Sequence, residues 1–315
     1  MLFGQQDALA YGVHWKDYHA FRTDVHDVCG KHPAVFGWDL GRLGQPANLD
    51  GVPFHRMRDW MLEVDRRGGI NTVSWHMDNF LNGRDSWSVG LPVVRAILPG
   101  GTAHAIYLRK LALFADFARS LQAPGRDQPI ELVFRPFHEH TGNWFWWGEK
   151  HCSQDEYVAL WQFTHHYLTG EEGLTNLLWA YSPDRFRDKA HYLERYPGDA
   201  YVDVLGLDEY HHLSAWWKQK DFLRRLRDIV ELAEARGKVA ALTETGLEAI
   251  PRHFWWTKRL LHPILEDPSA RKIAWMLVWR NASRSHHFGP YPGHNTAADF
   301  IRFSGEEGVG FLGDN

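Results

Sequence analysis

Three side chains able to bind a metal or move a proton, His138, Glu139 and His140, follow Arg135 in the stretch "VFRPFHEHTGNWFWWG" (residues 133–148), with Trp144, Trp146 and Trp147 directly after them. Metal ligation needs further ligands from other parts of the chain. "HMD" at His76 offers some, but an early-strand His-x-His is missing and neither histidine motif matches the spaced zinc signatures, so no metal is expected. Acid–base chemistry needs only a second carboxyl group, and "KVAALTETG" supplies Glu244. Two carboxyls about 5–5.5 Å apart, one an acid/base and one a nucleophile, are what glycosidic-bond hydrolysis with retention requires. Taken alone, each glutamate fits an ion pair equally well, Glu139 with Arg135 and Glu244 with Lys238.

Whether the two glutamates can meet depends on the elements that carry them. Eight short runs rich in β-branched and aromatic residues recur along the chain, starting at Leu2, Ala34, Ile70, Ile130, Asn176, Tyr201, Lys238 and Lys272. They lack strict alternation, as strands buried on both faces do. Segments with apolar residues three and four apart separate them. In "FHRMRDWMLEVDRRGG" these are Met57, Trp60, Met61 and Val64; "GTAHAIYLRKLALFADFARSLQ", "DEYVALWQFTHHYLTG" and "DFLRRLRDIVELAEARG" behave likewise, the last stopping at Gly237. Eight strands alternating with helices predict an α/β chain folded as a single-domain (β/α)8 TIM barrel over residues 1–315, with a doubly wound open sheet as the rival. In such a barrel, chemistry gathers at the C-terminal strand ends. The runs end in Gln5 and Gln6, Asp39, His76 and Asp78, His138 and Glu139, Ser182 and Asp184, Asp208 and Tyr210, Glu244, and Trp279 with Arg280 and Asn281. That set suits a ligand covered in hydroxyls.

Composition narrows the partners. The formal charge is −4 and the basic residues are scattered, which leaves no footprint for a phosphate backbone; no nucleic acid is expected. No apolar stretch approaches the roughly 20 residues of a membrane span. The first residues, "MLFGQQDALAYG", lack a basic n-region and a long apolar h-region. "YLTGEEG" and "SGEEG" form no glycine-rich phosphate loop, so no cofactor is expected. Two cysteines, Cys29 and Cys152, exclude a disulfide scaffold and leave their pairing open. Sixteen tryptophans stand out, because flat indole faces with an N–H donor suit stacking on sugar rings as well as core packing.

The stretch "FRPFHEHTGNWFWWG" resembles the acid/base motif of glycoside hydrolase family 26, the β-mannanase family of clan A. Six other segments resemble that family in order: "FGQQDALAYG", "SWHMDNF", "AILPGG", "GLDEY", "LTETG" and "LVWRNA". The resemblance implies Glu139 as acid/base and Glu244 as nucleophile. It also implies Tyr210 as a donor to the nucleophile, His138 as a member of the hydrogen-bond network at the catalytic centre, and His76 as a substrate contact on the non-reducing side. Trp279 would floor the −1 subsite, Trp144 would wall the leaving-group side, Arg280 would reach hydroxyls further out, and Asp208 would orient polar neighbours. A residue that first gives and then takes a proton must rest protonated, so burial against Trp144 and the charge of Glu244 are expected to raise the pKa of Glu139. Gln6, Asp39, Trp146, Trp147, Asp184 and Asn281 are expected mainly to support these residues, and His140 to be structural.

The activity so implied is retaining hydrolysis of β-1,4-mannosidic linkages in mannan, glucomannan or galactomannan, with endo cleavage the default. The partner is a β-mannan polysaccharide or manno-oligosaccharide. Within the family the alternatives are β-1,3-1,4-glucanase and β-1,3-xylanase action; outside it, a catalytically silent glycan-binding protein. No accessory binding module is expected within these residues, a monomer is expected, and the polymeric substrate implies a periplasmic or extracellular location.

Overall fold

The computed structural model describes residues 1–16 and 20–314. All eight expected strands form: β1 (Leu2–Gln6), β2 (Val35–Asp39), β3 (Ile70–Ser74), β4 (Leu132–Arg135), β5 (Leu177–Tyr181), β6 (Val204–Glu209), β7 (Val239–Thr245) and β8 (Trp275–Val278). Their hydrogen-bonding order is β1-β2-β3-β4-β5-β6-β7-β8, closed on itself, which is the (β/α)8 barrel and excludes the open doubly wound sheet. The helices are α1 (Asp24–Cys29), α2 (Phe54–Arg66), α3 (Val93–Ile97), α4 (His104–Ser120), α5 (Gln154–His166), α6 (Lys189–Leu193), α7 (Gln219–Arg236), α8 (His262–Glu266) and α9 (Ala297–Phe303).

Contacts divide the chain into two compact units. The first comprises Met1–Trp38, Glu63–Thr72 and Val204–Asn315. Here β1 lies parallel to β2 and β8, and β6 and β8 flank β7. Phe3 on β1 packs its ring against Trp256, Phe300, Phe303 and Phe311, so burial of aromatic area joins the first strand to the last helix. α7 buries Phe222, Leu226, Ile229, Val230 and Ala233 and ends at Gly237, whose φ of 64° is the left-handed conformation that closes a helix without a Cβ penalty.

The second unit comprises Asp39–Leu62 and Val73–Asp203. β4 and β5 pair in parallel within it. α4 buries Tyr107, Leu111, Phe114, Ala115 and Ala118, and Phe114 stacks on Phe134 of β4 at 4.4 Å. α5 opens with a reciprocal cap, Ser153 accepting from the Glu156 backbone and Glu156 from the Ser153 backbone. Both cysteines are free thiols, Cys29 half-buried and Cys152 buried.

Candidate active site

The fourth run departs from the straight strand expected for it. β4 stops at Arg135, and both Phe137 (φ 49°) and Glu139 (φ 54°) take left-handed backbone. That region costs a residue with a Cβ roughly 1–2 kcal/mol, and strain of this kind collects at functional sites. The surroundings hold the turn in place. The Glu139 backbone N–H donates to Ser182 O at 2.8 Å, its carbonyl accepts from Gly142 N, and the Tyr157 hydroxyl donates to Phe137 O. His138 and His140 therefore lie outside β4 and turn into different surroundings. His138 meets His76, Phe145 and Trp147, whereas His140 sits between the rings of Tyr157 at 4.5 Å and Tyr181 at 4.8 Å. Burial holds both imidazoles well below their usual pKa, with positive neighbours adding to the effect.

Trp144 is half-buried, and its indole N–H donates to Glu139 Oε2 at 2.6 Å. The expected apolar wall is thus also a hydrogen-bond donor. Trp146 and Trp147 are fully buried and spend their N–H groups on Met77 O and His138 O, which makes them the packing under the turn.

In the same unit His76 is 6% exposed, and its Nδ1 lies 2.6 Å from Asp39 Oδ2. Burial alone would raise the Asp39 pKa. The charge and hydrogen bond of His76, the Gly41 N–H and the Ser74 hydroxyl together outweigh it and hold Asp39 below the ordinary carboxylate range. The exposed Trp87 lies parallel to the His76 ring, 5.1 Å between centroids at 13°, and 5.4 Å from Phe145. Asp184 is buried and pairs with its neighbour Arg185 at 3.3 Å.

The first unit carries the other glutamate. The β6–β7 register shifts between Leu207 and Asp208, so that Leu207 faces Leu242 but Asp208 faces Glu244, and a second irregularity lies between β7 and β8. Such a bulge re-aims a side chain at a strand end. Its extra residue, Thr243, donates from Oγ1 to Asp208 Oδ1 at 2.7 Å. Glu244 is 3% exposed, and the Tyr210 hydroxyl donates to its Oε2 at 2.8 Å. Glu209, on the opposite side of β6, shapes the turn that carries Tyr210. Its carboxylate accepts from the backbone of His211 and His212 and from His212 Nδ1. Burial would raise the Glu209 pKa, but His212 and Arg225 hold it down.

Beyond β8, Trp279 and Arg280 are half-buried. Arg280 Nη1 reaches the Tyr11 hydroxyl at 3.3 Å, and that hydroxyl donates to Asp7 Oδ2 at 2.7 Å, so the loop after β1 sets the position of the guanidinium. Asn281 is buried and ties Asp24, the Pro290 carbonyl and the Phe288 and Gly289 N–H groups together. Gln6 is buried beside Gly37, where a Cβ would collide with its amide oxygen.

Residues 1–274 match the sequence model of glycosyl hydrolase family 26. The chain belongs to this family. A mannan endo-1,4-beta-mannosidase of Bifidobacterium adolescentis is 36% identical over 259 residues, 78% of this chain and 25% of that protein. One from Bacillus subtilis is 32% identical over 196 residues, 59% of this chain and 52% of that protein. This chain therefore spans between a quarter and about half the length of these relatives. A solved GH26 beta-mannanase from Bacteroides ovatus superposes with a TM-score of 0.94 at 42% identity, covering 100% of this chain and 91% of that one.

Several residues of this family 26 chain escaped the sequence reading. Trp87 lies in "LNGRDSWSVG", a loop with no strand-end signal, and its stacking on His76 is visible only in the fold. Thr243 and Glu209 differ in kind. They flank predicted site residues, but Thr243 turns to Asp208 because of a bulge, and no hydrophobic period announces a bulge.

Proposed function

We propose that this chain hydrolyses β-1,4-mannosidic linkages in mannan, glucomannan or galactomannan by double displacement, cutting within the polymer. The observation that carries this reading is the Tyr210–Glu244 hydrogen bond at the end of β7 in a family 26 barrel. A nucleophilic carboxylate needs a donor that holds one oxygen while the other attacks, and Tyr210 is so placed. Glu139, positioned by its strained backbone and by Trp144, is the acid/base.

In the first step the Glu139 proton passes to the glycosidic oxygen, the C1–O bond breaks, and a Glu244 oxygen bonds to C1. In the second, Glu139 takes a proton from water, the water oxygen bonds to C1, and the C1–Glu244 bond breaks. Catalysis then ends where it began, with Glu139 protonated and Glu244 free. His76, His138 and Trp87, and likewise Trp279 and Arg280, supply ring faces and donors for sugar units. Relatives described as mannan endo-1,4-beta-mannosidases support the choice of mannan and of internal cleavage. A polymer of this size places the work in the periplasm or outside the cell.

The test is the time course of products from linear and galactose-branched mannan, beside barley β-glucan and β-1,3-xylan. Mixed manno-oligosaccharides appearing before short end products support the reading. Release of mannobiose alone from the start would replace endo by exo action, and turnover of glucan or xylan without mannan would replace the substrate. If mannan were bound but not cut, and Glu139→Ala and Glu244→Ala changed nothing, the enzymatic reading would fail.

A further inference from the structure

Most tryptophans of this chain serve packing, but Trp216 and Trp217 are each 64% exposed. They form a single helical turn between β6 and α7, with ring centroids 5.9 Å apart and planes at 87°. Leaving two adjacent indoles in water forgoes the burial that stabilises a large apolar side chain, so the pair calls for an explanation. Both line a groove of about 600 Å³ between the start of α7 and the far end of α8. Gln219, Lys220 and Glu266 line the same groove, and none of them enters a side-chain hydrogen bond or ion pair with the described residues. Glu244 and Tyr210 are not among the residues that line it.

We infer that this groove is a second glycan-binding site, which holds a stretch of β-mannan chain away from the point of cleavage; the inference rests on the functional reading above. The chemistry favours a polyol. One indole face can stack on the C–H face of a pyranose while the second, set perpendicular, borders the next unit. An amide, an ammonium and a carboxylate, all uncommitted, offer donors and acceptors to neutral hydroxyls without demanding a net charge from the ligand. Lys220 is offset by Glu266 and Asp267 in the same groove, so the lining presents no net positive charge to an anionic membrane surface. A stable protein interface buries about 1,000 Å² or more of total surface over both partners, well beyond what two side chains offer. A polymer held at a second point is kept at high effective concentration for cleavage.

The experiment compares the full chain with Trp216→Ala/Trp217→Ala in two assays, retention on insoluble mannan and kcat/KM on soluble mannopentaose. Loss of the stacking faces is expected to weaken retention by about tenfold and to leave mannopentaose turnover unchanged. Trp216→Phe/Trp217→Phe, which keeps a ring at each position, is expected to retain part of the affinity. Unchanged retention would overturn the inference, and so would parallel loss of retention and turnover in both variants, since the indoles would then serve the fold or the cleft. A wild-type dimer that dissociates in the alanine variant would assign the groove to a second copy and overturn it as well. If the wild-type chain cleaves no mannan, the functional reading fails, and the retention comparison still reports on the groove.

Discussion

At the scale of single residues, Glu139 and Glu244 are distinguished by what holds them. Glu139 takes a hydrogen bond from an indole on a left-handed backbone, and Glu244 takes one from a phenol at a bulged strand end. Their proposed roles separate by leaving group. Glu244→Ala is expected to lose about 10⁴-fold or more in kcat on every β-mannoside. In kcat/KM, which reports the first step, Glu139→Ala is expected to lose far less on an aryl mannoside with an acidic phenol than on a manno-oligosaccharide, because a good leaving group departs without a proton. Equal losses on both substrates would remove Glu139 from the acid role. His140 illustrates the opposite kind of residue. Both its ring nitrogens are buried without a partner among the described residues, between two tyrosine rings. His140→Phe keeps the ring packing and removes the unsatisfied nitrogens, so it is expected to raise stability by about 1 kcal/mol in denaturant titration. The sequence marks both glutamates as candidates and sets His140 apart from them, because residue type and position at a strand end carry that information. It did not show the positive φ of Phe137 and Glu139, since no glycine marks the turn.

At the scale of elements, the barrel was legible because buried parallel strands and amphipathic helices leave different periods. "FHRMRDWMLEVDRRGG" predicted α2 and "DFLRRLRDIVELAEARG" predicted α7 with its stop at Gly237. The ends of the strands were less legible. "IELVFRPFHE" reads as one apolar run, yet β4 is four residues long and Glu139 lies beyond it. Propensity cannot distinguish a strand from the turn that follows when tertiary hydrogen bonds to the Ser182 carbonyl and from the Tyr157 hydroxyl fix that turn. The β6–β7 bulge was equally hidden, and it yields a test. Thr243→Val removes the donor to the buried Asp208 while preserving shape. It is expected to cost about 1–3 kcal/mol of stability and to lower kcat more than it changes KM, with Thr243→Ser restoring both. An unchanged kcat would show that the bulge does not set the aim of Glu244.

At the scale of the whole molecule, acid should act in two windows. His138 and His140 are neutral in the fold, with pKa values pushed below 6.5 by burial. The unfolded chain therefore binds more protons as pH falls below about 6.5, and stability drops with it. Asp39 and Glu209 have lowered pKa values, so the stability they contribute is present above about 4 and lost as pH falls through their folded pKa values. Thermal melts from pH 8 to 3 are expected to show a first decline beginning near 6.5, reduced in His140→Phe, and a steeper one below about 4. A flat profile from pH 7 to 5 would contradict the buried neutral histidines. The central claim is that Glu244 bonds to the sugar during turnover, and the most direct measurement is to trap that bond. A 2-deoxy-2-fluoro manno-oligosaccharide with an activated leaving group slows the second step, and peptide mass spectrometry then locates the label. The account predicts a glycosyl group on the peptide carrying Glu244 and none in Glu244→Ala; a label on Glu139, or steady turnover with no covalent label, would contradict it.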